Sequence, residues 1–181
     1  MLPKKVVVGL SGGVDSSMVL FLLQKQGYTP VALTFKLPNW EGKIDNKAIE
    51  SARAVCKKLG IEHHVIDKRK DFKKTVVSYF NSELRAFKTP NPCVVCNRSF
   101  KFKALFEFAD KHNIRYVATG HYARIKDGFL CKPRDKAKDQ TYGLCLLKRE
   151  WLSRLIFPLQ DLTKDKVYEL ASKQGFSSFS K

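Results

Sequence analysis

The sequence has no apolar run long enough to cross a membrane, which takes about 18 consecutive residues. Its start, MLPKKVVVGL, passes from lysines into a short β-branched run and lacks the apolar stretch and cleavage site of a signal peptide. Hydrophobic residues make up 44% of the chain, which favours a folded globule over a disordered segment. We therefore expect a folded cytoplasmic protein that does not bind membranes.

Acidic residues are scarce: 17 Asp and Glu stand against 34 Lys and Arg, giving a net charge of +17. A polyanionic partner is the natural explanation, with nucleic acid first among the candidates. The basic excess is spread along the chain, so general basicity remains an alternative and the charge does not locate a binding surface.

Cysteine is also infrequent, with five residues in all. Cys56, Cys131 and Cys145 stand alone in apolar or strand-like contexts, which predicts small buried side chains. Cys93 and Cys96 form a C-x-x-C pair, which in a reducing compartment is more often redox-active, metal-binding or catalytic than a structural disulfide. A zinc or iron–sulfur site, the alternative, would need two or more further ligands, and His63, His64, Cys131 and Cys145 lack the spacing of such partners.

Apolar runs typical of strands alternate with segments of helical spacing. Strands are predicted at residues 6–10, 31–35, 64–66 and 116–119, and helices at 18–26, 48–59, 72–87 and 100–111. This order predicts an α/β fold, a parallel sheet with right-handed crossovers and helices on both faces. The later predictions are a hairpin turning at residues 126–128, an exposed loop at 132–140, a strand at 141–147, and helices at 150–156 and 164–174.

The segment SGGVDSS, residues 11–17, follows the first predicted strand and opens a helix. Glycines let the backbone approach an anion closely, and the free N–H groups of a helix start favour phosphate. Asp15 suits a Mg²⁺ ion that accompanies the phosphates. The segment is not a Walker P-loop, and the alternative interpretation is a tight strand–helix turn capped by serine.

The segment TPNPCVVCNR, residues 89–98, contains both paired cysteines. Two prolines predict an extended loop before them. We expect Cys96 to lie at the start of the next helix and beside Arg98. Both features would lower its pKa, so Cys96 rather than Cys93 is the predicted reactive thiol.

The segment ATGHYAR, residues 118–124, lies at the end of the fourth predicted strand, where ligands of open α/β sheets bind. Gly120 would permit close approach of a nucleotide, and His121 would face ATP or RNA. An ordinary strand-end turn is the alternative. Residues 138–142, KDQTY, would pass alone for a solvated loop.

The glycine loop resembles the pyrophosphate loop of PP-loop ATP pyrophosphatases. Together with TPNPCVVCNR, KF, ATGHYAR, KDQ-x-Y and FPL in this order, the chain resembles the N-terminal catalytic portion of tRNA-specific 2-thiouridylases. The resemblance implies a Rossmann-like sheet of the adenine-nucleotide α-hydrolase (HUP) type. It also implies ATP-dependent adenylation of O2 of a wobble uridine, with Mg²⁺, and sulfur transfer that gives 2-thiouridine. The implied partners are tRNA and a persulfide sulfur donor protein.

The resemblance assigns roles to individual residues. The implied ATP-binding residues are Gly9, Leu10, Ser11, Gly12, Gly13, Val14, Asp15, Ser16, Phe35 and Gly120. Those bordering the target base are Asn91, Pro92 and Cys93, and those contacting tRNA are His121, Lys138, Asp139 and Gln140. Cys96 is the implied first catalytic cysteine, which forms a disulfide with the donor cysteine or releases its sulfur. Some relatives carry Asp where this chain has Cys93, so no acid–base role is transferred to that position.

We expect an ATP-binding domain over residues 1–125, with a hairpin and helical extension over 126–181 that begins the tRNA-binding part. The family's second catalytic cysteine and later domains are expected beyond the last residue. Two alternatives stay open: another tRNA-thiolating or AMP-forming enzyme of the superfamily, and a truncated ATP- or tRNA-binding module without catalysis.

Overall fold

The computed structural model describes residues 4–38 and 46–176. Its strands are β1 (Lys4–Gly9), β2 (Tyr28–Lys36), β3 (Glu62–Asp67), β4 (Tyr116–Thr119), β5 (Arg124–Lys126), β6 (Phe129–Cys131) and β7 (Leu155–Ile156). Five of them form one parallel sheet in the order β3-β2-β1-β4-β7. The predicted α/β fold is confirmed.

Helices cover both faces of the sheet. They are α1 (Val14–Lys25), α2 (Asn46–Leu59), α3 (Arg69–Phe72), α4 (Ser78–Arg85), α5 (Pro92–Val95), α6 (Phe102–Lys111), α7 (Arg149–Leu152) and α8 (Lys164–Lys173). A π-helical turn, Lys73–Val77, joins α3 to α4, and a second, Cys96–Lys101, joins α5 to α6. Within the described residues, no helix combines the length and apolar character that a membrane span requires.

The central strand shows why the first apolar run predicted a buried strand. Val6, Val7 and Val8 are all fully buried. Val6 and Val8 join the core that contains α1, α2 and α8, whereas Val7 joins the core on the other face, beneath α6. Because successive side chains of a strand point to opposite faces, a sheet covered on both sides needs such a continuous apolar sequence.

The predicted hairpin is confirmed. β5 and β6 pair antiparallel, and Lys126 lies opposite Phe129. The two residues between them, Asp127 and Gly128, have φ values of 51° and 77°. Positive φ at both central positions is the geometry that favours Asp-Gly in two-residue turns.

Two predictions after the hairpin are wrong. Residues 141–147 do not form a strand, because Thr141–Leu144 is a 3₁₀-helix. The predicted helix at 150–156 ends at Leu152, and Leu155–Ile156 pairs with β4 as the fifth strand of the sheet. The spacing of apolar residues in such a short run does not distinguish a helix from a strand. In this segment tertiary pairing with β4 decides the conformation.

Residues 132–140 form the predicted loop, with more than half of the residues exposed and a short 3₁₀ turn at Lys136–Lys138, and hydrogen bonds anchor this loop to the rest of the molecule. The backbone N–H of Arg134 donates to the carbonyl of Gln160 at 2.8 Å. The Asp135 carboxylate accepts from the backbone N–H of Lys164 at 2.8 Å. Backbone and carboxylate groups make these contacts, so the loop is anchored although it has no apolar face.

Candidate active site

Two adjoining cavities lie where β1, β2 and β4 end. The loop cavity, of about 760 Å³, is bounded by the glycine loop, the ends of these strands and residues 137–140. The cysteine cavity, of about 970 Å³, is bounded by the two π-helical turns and α5. Both are lined by Pro38, Lys101, His121, Gln140 and Tyr142. A ligand in one cavity would therefore lie against a ligand in the other.

The glycine loop is shaped by two close backbone approaches. Gly12 has a φ of +83°, and a Cβ atom there would lie 2.3 Å from the carbonyl oxygen of Ala48. At Gly120, a Cβ atom would lie 3.1 Å from the backbone nitrogen of Ser16. The Ser16 hydroxyl donates to the Gly13 carbonyl at 3.0 Å and accepts from the backbone N–H of Ser11 at 3.2 Å. Both glycines thus keep the loop compact at the N-terminus of α1, an arrangement that fits a bound phosphate.

Most of the residues predicted to bind ATP line the loop cavity. These are Gly9, Leu10, Ser11, Asp15, Ser16, Phe35 and Gly120. Three others, Gly12, Gly13 and Val14, do not line it. Gly12 faces Ala48, and Val14 is buried in the core that contains α1. The structure therefore brings the predicted set together, with these three residues shaping the loop from behind.

Asp15 forms an ion pair that the sequence did not indicate. The Lys164 ammonium lies 2.7 Å and 2.6 Å from the two carboxylate oxygens of Asp15, and the Tyr122 hydroxyl donates to Asp15 at 3.1 Å. Lys164 is the first residue of α8, which packs against α1 in the same core. Lys164 also lines the loop cavity. The cavity therefore offers a carboxylate suited to Mg²⁺ and an ammonium suited to phosphate, side by side.

The cysteine segment corrects the predicted environment of Cys96. The helix begins at Pro92, and the Asn91 side chain caps it by accepting from the backbone N–H of Val94. Cys93 therefore lies in the first helical turn, whereas Cys96 lies within the continuous helix. The prediction that Cys96 precedes a helix N-terminus is wrong, because Pro92 occupies the first helical position, where proline is favoured.

The predicted pKa of Cys96 is also wrong. Burial raises the pKa of the Cys96 thiol, while the Lys101 charge opposes this rise. Arg98, which was expected to stabilise the thiolate, instead donates to the carbonyl of Leu146 at 3.0 Å. The cation that acts on the Cys96 thiol is therefore Lys101.

All five cysteines are free. Cys56 is buried as predicted, and burial raises its pKa to about 11. Cys145 is exposed, contrary to expectation, because it belongs to the turn after the 3₁₀-helix rather than to a sheet strand. Within residues 4–38 and 46–176, no group of three His, Cys, Asp or Glu side chains is placed to hold a metal ion.

Of the three residues expected to border the target base, two line the cysteine cavity and one does not. Pro92 and Cys93 line the cysteine cavity, whereas Asn91 caps the helix and does not line it. The residues expected to contact tRNA, namely His121, Lys138, Asp139 and Gln140, all line the loop cavity. Two of them, His121 and Gln140, also line the cysteine cavity.

His121 is held in a fixed orientation at the junction of the cavities. Its Nδ1 lies 2.8 Å from the Thr119 hydroxyl, and its ring stacks on Phe102 with a centroid separation of 5.7 Å. Burial lowers the pKa of His121 to about 3, so the ring is neutral near pH 7. His121 can therefore offer a hydrogen bond or a stacking surface at this position but no positive charge.

Asp139 and Gln140 fix the loop that closes the cavity. Asp139 accepts from both the backbone N–H and the hydroxyl of Thr141, and the hydroxyl bond lowers the pKa of this carboxyl. The Gln140 side-chain oxygen accepts from the backbone N–H of Tyr122 at 2.9 Å. Both side chains thus have structural partners within the chain.

Comparisons with known proteins agree on one family. A protein-family model described as tRNA methyl transferase HUP domain matches residues 4–181. The chain is 45% identical over 176 residues to tRNA-specific 2-thiouridylase MnmA 2 of Fusobacterium nucleatum, covering 94% of this chain and 50% of that protein. It is 46% identical over 170 residues to the MnmA protein of Nitratiruptor, again covering 94% and 50%. The chain therefore spans about half the length of these curated relatives.

Solved structures share the fold. A 4-thiouridine synthetase in a complex with RNA and ATP matches with a TM-score of 0.69 at 21% identity, covering 97% of this chain and 42% of that one. The U34-tRNA thiolase NcsA of Methanococcus maripaludis, which has a [4Fe-4S] cluster, matches with a TM-score of 0.62 at 24% identity, covering 96% and 58%. At these identities the likeness concerns the architecture alone.

Proposed function

The chain belongs to the tRNA-specific 2-thiouridylase family, whose HUP domain it matches over residues 4–181, and from that premise we propose that it adenylates a tRNA uridine with ATP. The activated uridine then receives sulfur to become 2-thiouridine, so the protein acts as a sulfurtransferase. The observation that carries this proposal is the wall shared by the loop cavity and the cysteine cavity. Two substrates bound side by side can react without leaving the protein.

ATP is the substrate assigned to the loop cavity. The N–H groups at the start of α1 and the close approach of Gly120 to Ser16 support phosphate binding there. Phe35 and Gly120, which line the same cavity, are the residues assigned to the adenine side. Mg²⁺ bound with the phosphates would offset the charge of the leaving pyrophosphate, and we assign to Asp15, which lines this cavity, the role of holding it.

The target base is assigned to the cysteine cavity. Phe72, Val76 and Phe80 give this cavity an apolar wall that suits a flat base. Cys93, with Pro92, lines the same cavity and is assigned to the border of the base. Cys96 also lines it, and we assign to Cys96 the role of catalytic thiol. Burial raises the pKa of the Cys96 thiol, and the nearby positive charge of Lys101 opposes this rise and so favours the reactive thiolate.

In each step of the proposed reaction, one bond breaks for each bond that forms. O2 of the uridine forms a bond to the α-phosphorus of ATP, the bond to the β-phosphate oxygen breaks, and pyrophosphate leaves. A persulfide sulfur, supplied by a donor protein, then forms a bond to C2. The C2–O2 bond breaks, and AMP leaves with the electron pair. The Cys96 thiolate then attacks the inner sulfur of the donor, the S–S bond of the persulfide breaks, and a disulfide forms between Cys96 and the donor cysteine. The outer sulfur stays on C2 with the electron pair of the broken bond, and N3 takes back a proton to give 2-thiouridine. The described residues supply the groups assigned to ATP binding and one catalytic thiol, that of Cys96.

The net charge of +17 supports tRNA as the macromolecular partner. Lys138 lines the loop cavity and is itself exposed, so it is the positive charge among the residues assigned to tRNA. We also propose the division into a nucleotide domain over residues 1–125 and a tRNA-facing extension over 126–181. Parts of this extension, β7 and α8, pack into the same sheet and core as the nucleotide domain.

The test is release of pyrophosphate from ATP in the presence of RNA. An anticodon stem-loop with uridine at the wobble position should stimulate release, whereas the same RNA with cytidine there should not. Gly12→Val should abolish release, because the added side chain would collide with the Ala48 carbonyl. Lys103→Met, a change at an exposed residue of α6, is the matched control and should leave release unchanged. Cleavage of ATP to ADP, or release that ignores the RNA, would refute the proposal.

A further inference from the structure

Among the residues that the structure describes, five line both cavities, and Lys101 is the one of these five with a formal charge. The other four are Pro38, Gln140, Tyr142 and His121, whose ring is neutral near pH 7. Lys101 belongs to the KF pair of the sequence, to which the proposed function gives no role. Its position places a positive charge where the two substrates would meet.

The π-helical turn explains how Lys101 reaches this wall together with Cys96. The two residues are the first and last of the turn Cys96–Lys101. In an α-helix, residues five apart point about 140° away from each other around the axis. A π-helical turn instead bonds residue i to residue i+5 and so stacks them one above the other. Cys96 and Lys101 therefore line the same cavity.

The ammonium of Lys101 has no hydrogen-bond or ion-pair partner within the part of the chain that the structure describes. Lys101 is half-buried, and its positive charge acts on two buried side chains. It adds to the lowering of the pKa of His121, and it partly offsets the rise that burial causes in the pKa of Cys96. Withdrawing a cation from water without an anion costs free energy. The neighbouring lysine at the loop cavity, Lys164, is by contrast paired with Asp15. Lys101 is thus a cation at the junction of two cavities with no anionic partner among the residues in ranges 4–38 and 46–176.

We propose that Lys101 is a catalytic residue whose ammonium binds the phosphate group that links the nucleotide to the base, a role that rests on the proposed function. The ligand class is a nucleoside monophosphate or its ester. Lys164 and Asp15 act at the pyrophosphate side of the same cavity, so the two lysines serve different phosphates.

The charge balance of the transfer step explains the need for this cation. When the sulfur–C2 bond forms and the C2–O2 bond breaks, the electron pair passes to the phosphate oxygen, and AMP gains negative charge. Lys101 offsets this charge at the point where it develops, which lowers the barrier. The same ammonium also favours the thiolate form of Cys96.

The test compares the binding of AMP and adenosine by calorimetry in the wild type and in Lys101→Met. We expect Lys101→Met to weaken AMP binding by about 10- to 100-fold, the range for a hydrogen bond to a charged group, and to leave adenosine binding unchanged. Lys101→Arg should recover most of the AMP affinity. Lys103→Met lies two residues away on the exposed side of α6 and should bind both ligands as the wild type does. If Lys101→Met does not fold, Lys101→Gln replaces it.

The outcomes separate this inference from the proposed function. Equal affinity for AMP in the wild type and in Lys101→Met overturns the inference. So does a variant that binds AMP normally but binds RNA less tightly, because the cation would then serve the RNA backbone. A selective loss of AMP affinity supports the phosphate site even if the wild type releases no pyrophosphate with uridine RNA, a result that would refute the proposed function alone.

Discussion

Three glycine-to-alanine substitutions around the phosphate loop should differ in cost for reasons that the geometry sets. At Gly13 a Cβ atom would meet one side-chain atom, the Ser11 hydroxyl, at 3.8 Å, which is ordinary contact. At Gly120 it would meet the Ser16 backbone nitrogen at 3.1 Å and the Asp15 carbonyl carbon at 3.2 Å. At Gly12 it would lie 2.3 Å from the Ala48 carbonyl oxygen, at a φ of +83°.

The expected magnitudes follow from these contacts. Gly13→Ala should change the free energy of unfolding by less than about 0.5 kcal/mol, as for substitutions that remove no contact. Gly120→Ala should cost about 1–3 kcal/mol, because backbone atoms must shift by a few tenths of an ångström. Gly12→Ala should be the most destabilising of the three substitutions. Its methyl group would collide with the Ala48 carbonyl oxygen, and a left-handed backbone conformation costs an alanine about 1–2 kcal/mol more.

Urea unfolding measures the free energy of unfolding of each variant, and calorimetric titration with ATP and Mg²⁺ measures its affinity for ATP. Gly13→Ala should bind ATP as the wild type does, whereas Gly120→Ala should bind it about tenfold or more weakly, since the shift separates β4 from the loop. Equal ATP affinity in Gly13→Ala and Gly120→Ala would refute the reasoning that this close approach shapes the phosphate site.

Other features of the structure yield four further predictions. Iodoacetamide at pH 8 should label the exposed Cys93 before Cys96, whose pKa is raised by burial, and mass spectrometry of the peptides would show the order. The pKa of His121 falls from 6.5 to about 3 on folding, so the unfolded chain binds the extra proton and stability should drop as the pH is lowered through that window; His121→Gln should flatten this dependence in urea titrations. A double-mutant cycle with Asp15→Asn and Lys164→Met should give a coupling of about 1.5 kcal/mol in the free energy of unfolding, and a coupling near zero would mean that the pair is not formed in solution. The affinity for tRNA should fall steeply with salt, by about 0.9 in log K per unit of log salt for each phosphate neutralised, and a flat salt dependence would exclude phosphate contacts as the source of affinity.

The sheet and the phosphate loop could be predicted from sequence because their determinants are local. Val6 to Val8 form an uninterrupted apolar run, and two adjacent glycines follow before the polar start of α1. Both the apolar run and the paired glycines can be recognised from a few consecutive residues. The predicted strand at residues 116–119 matches β4.

Other parts depend on contacts between distant segments. Lys164 meets Asp15 across 149 positions, and no local pattern marks a lysine at the start of α8 as part of a phosphate site. Leu155 and Ile156 become a strand only because β4 has a free edge beside them. Cys96 illustrates a different failure. The sequence predicts a helix that starts at residue 100, whereas the helix starts at Pro92 and a π-helical turn continues it through the cysteine segment. Proline at the first helical position was the local signal for this earlier start.

The central claim, that ATP activates a tRNA uridine, is tested most directly by following the α-phosphate. The protein would be incubated with ATP labelled at the α-phosphorus, Mg²⁺ and a stem-loop RNA with a wobble uridine, in the absence of any sulfur donor. The account predicts that label appears on the RNA, on the nucleotide at that position, and that hydrosulfide then releases it as AMP. RNA that stays unlabelled while ATP is consumed, or label that appears equally on a stem-loop with cytidine at that position, would contradict it.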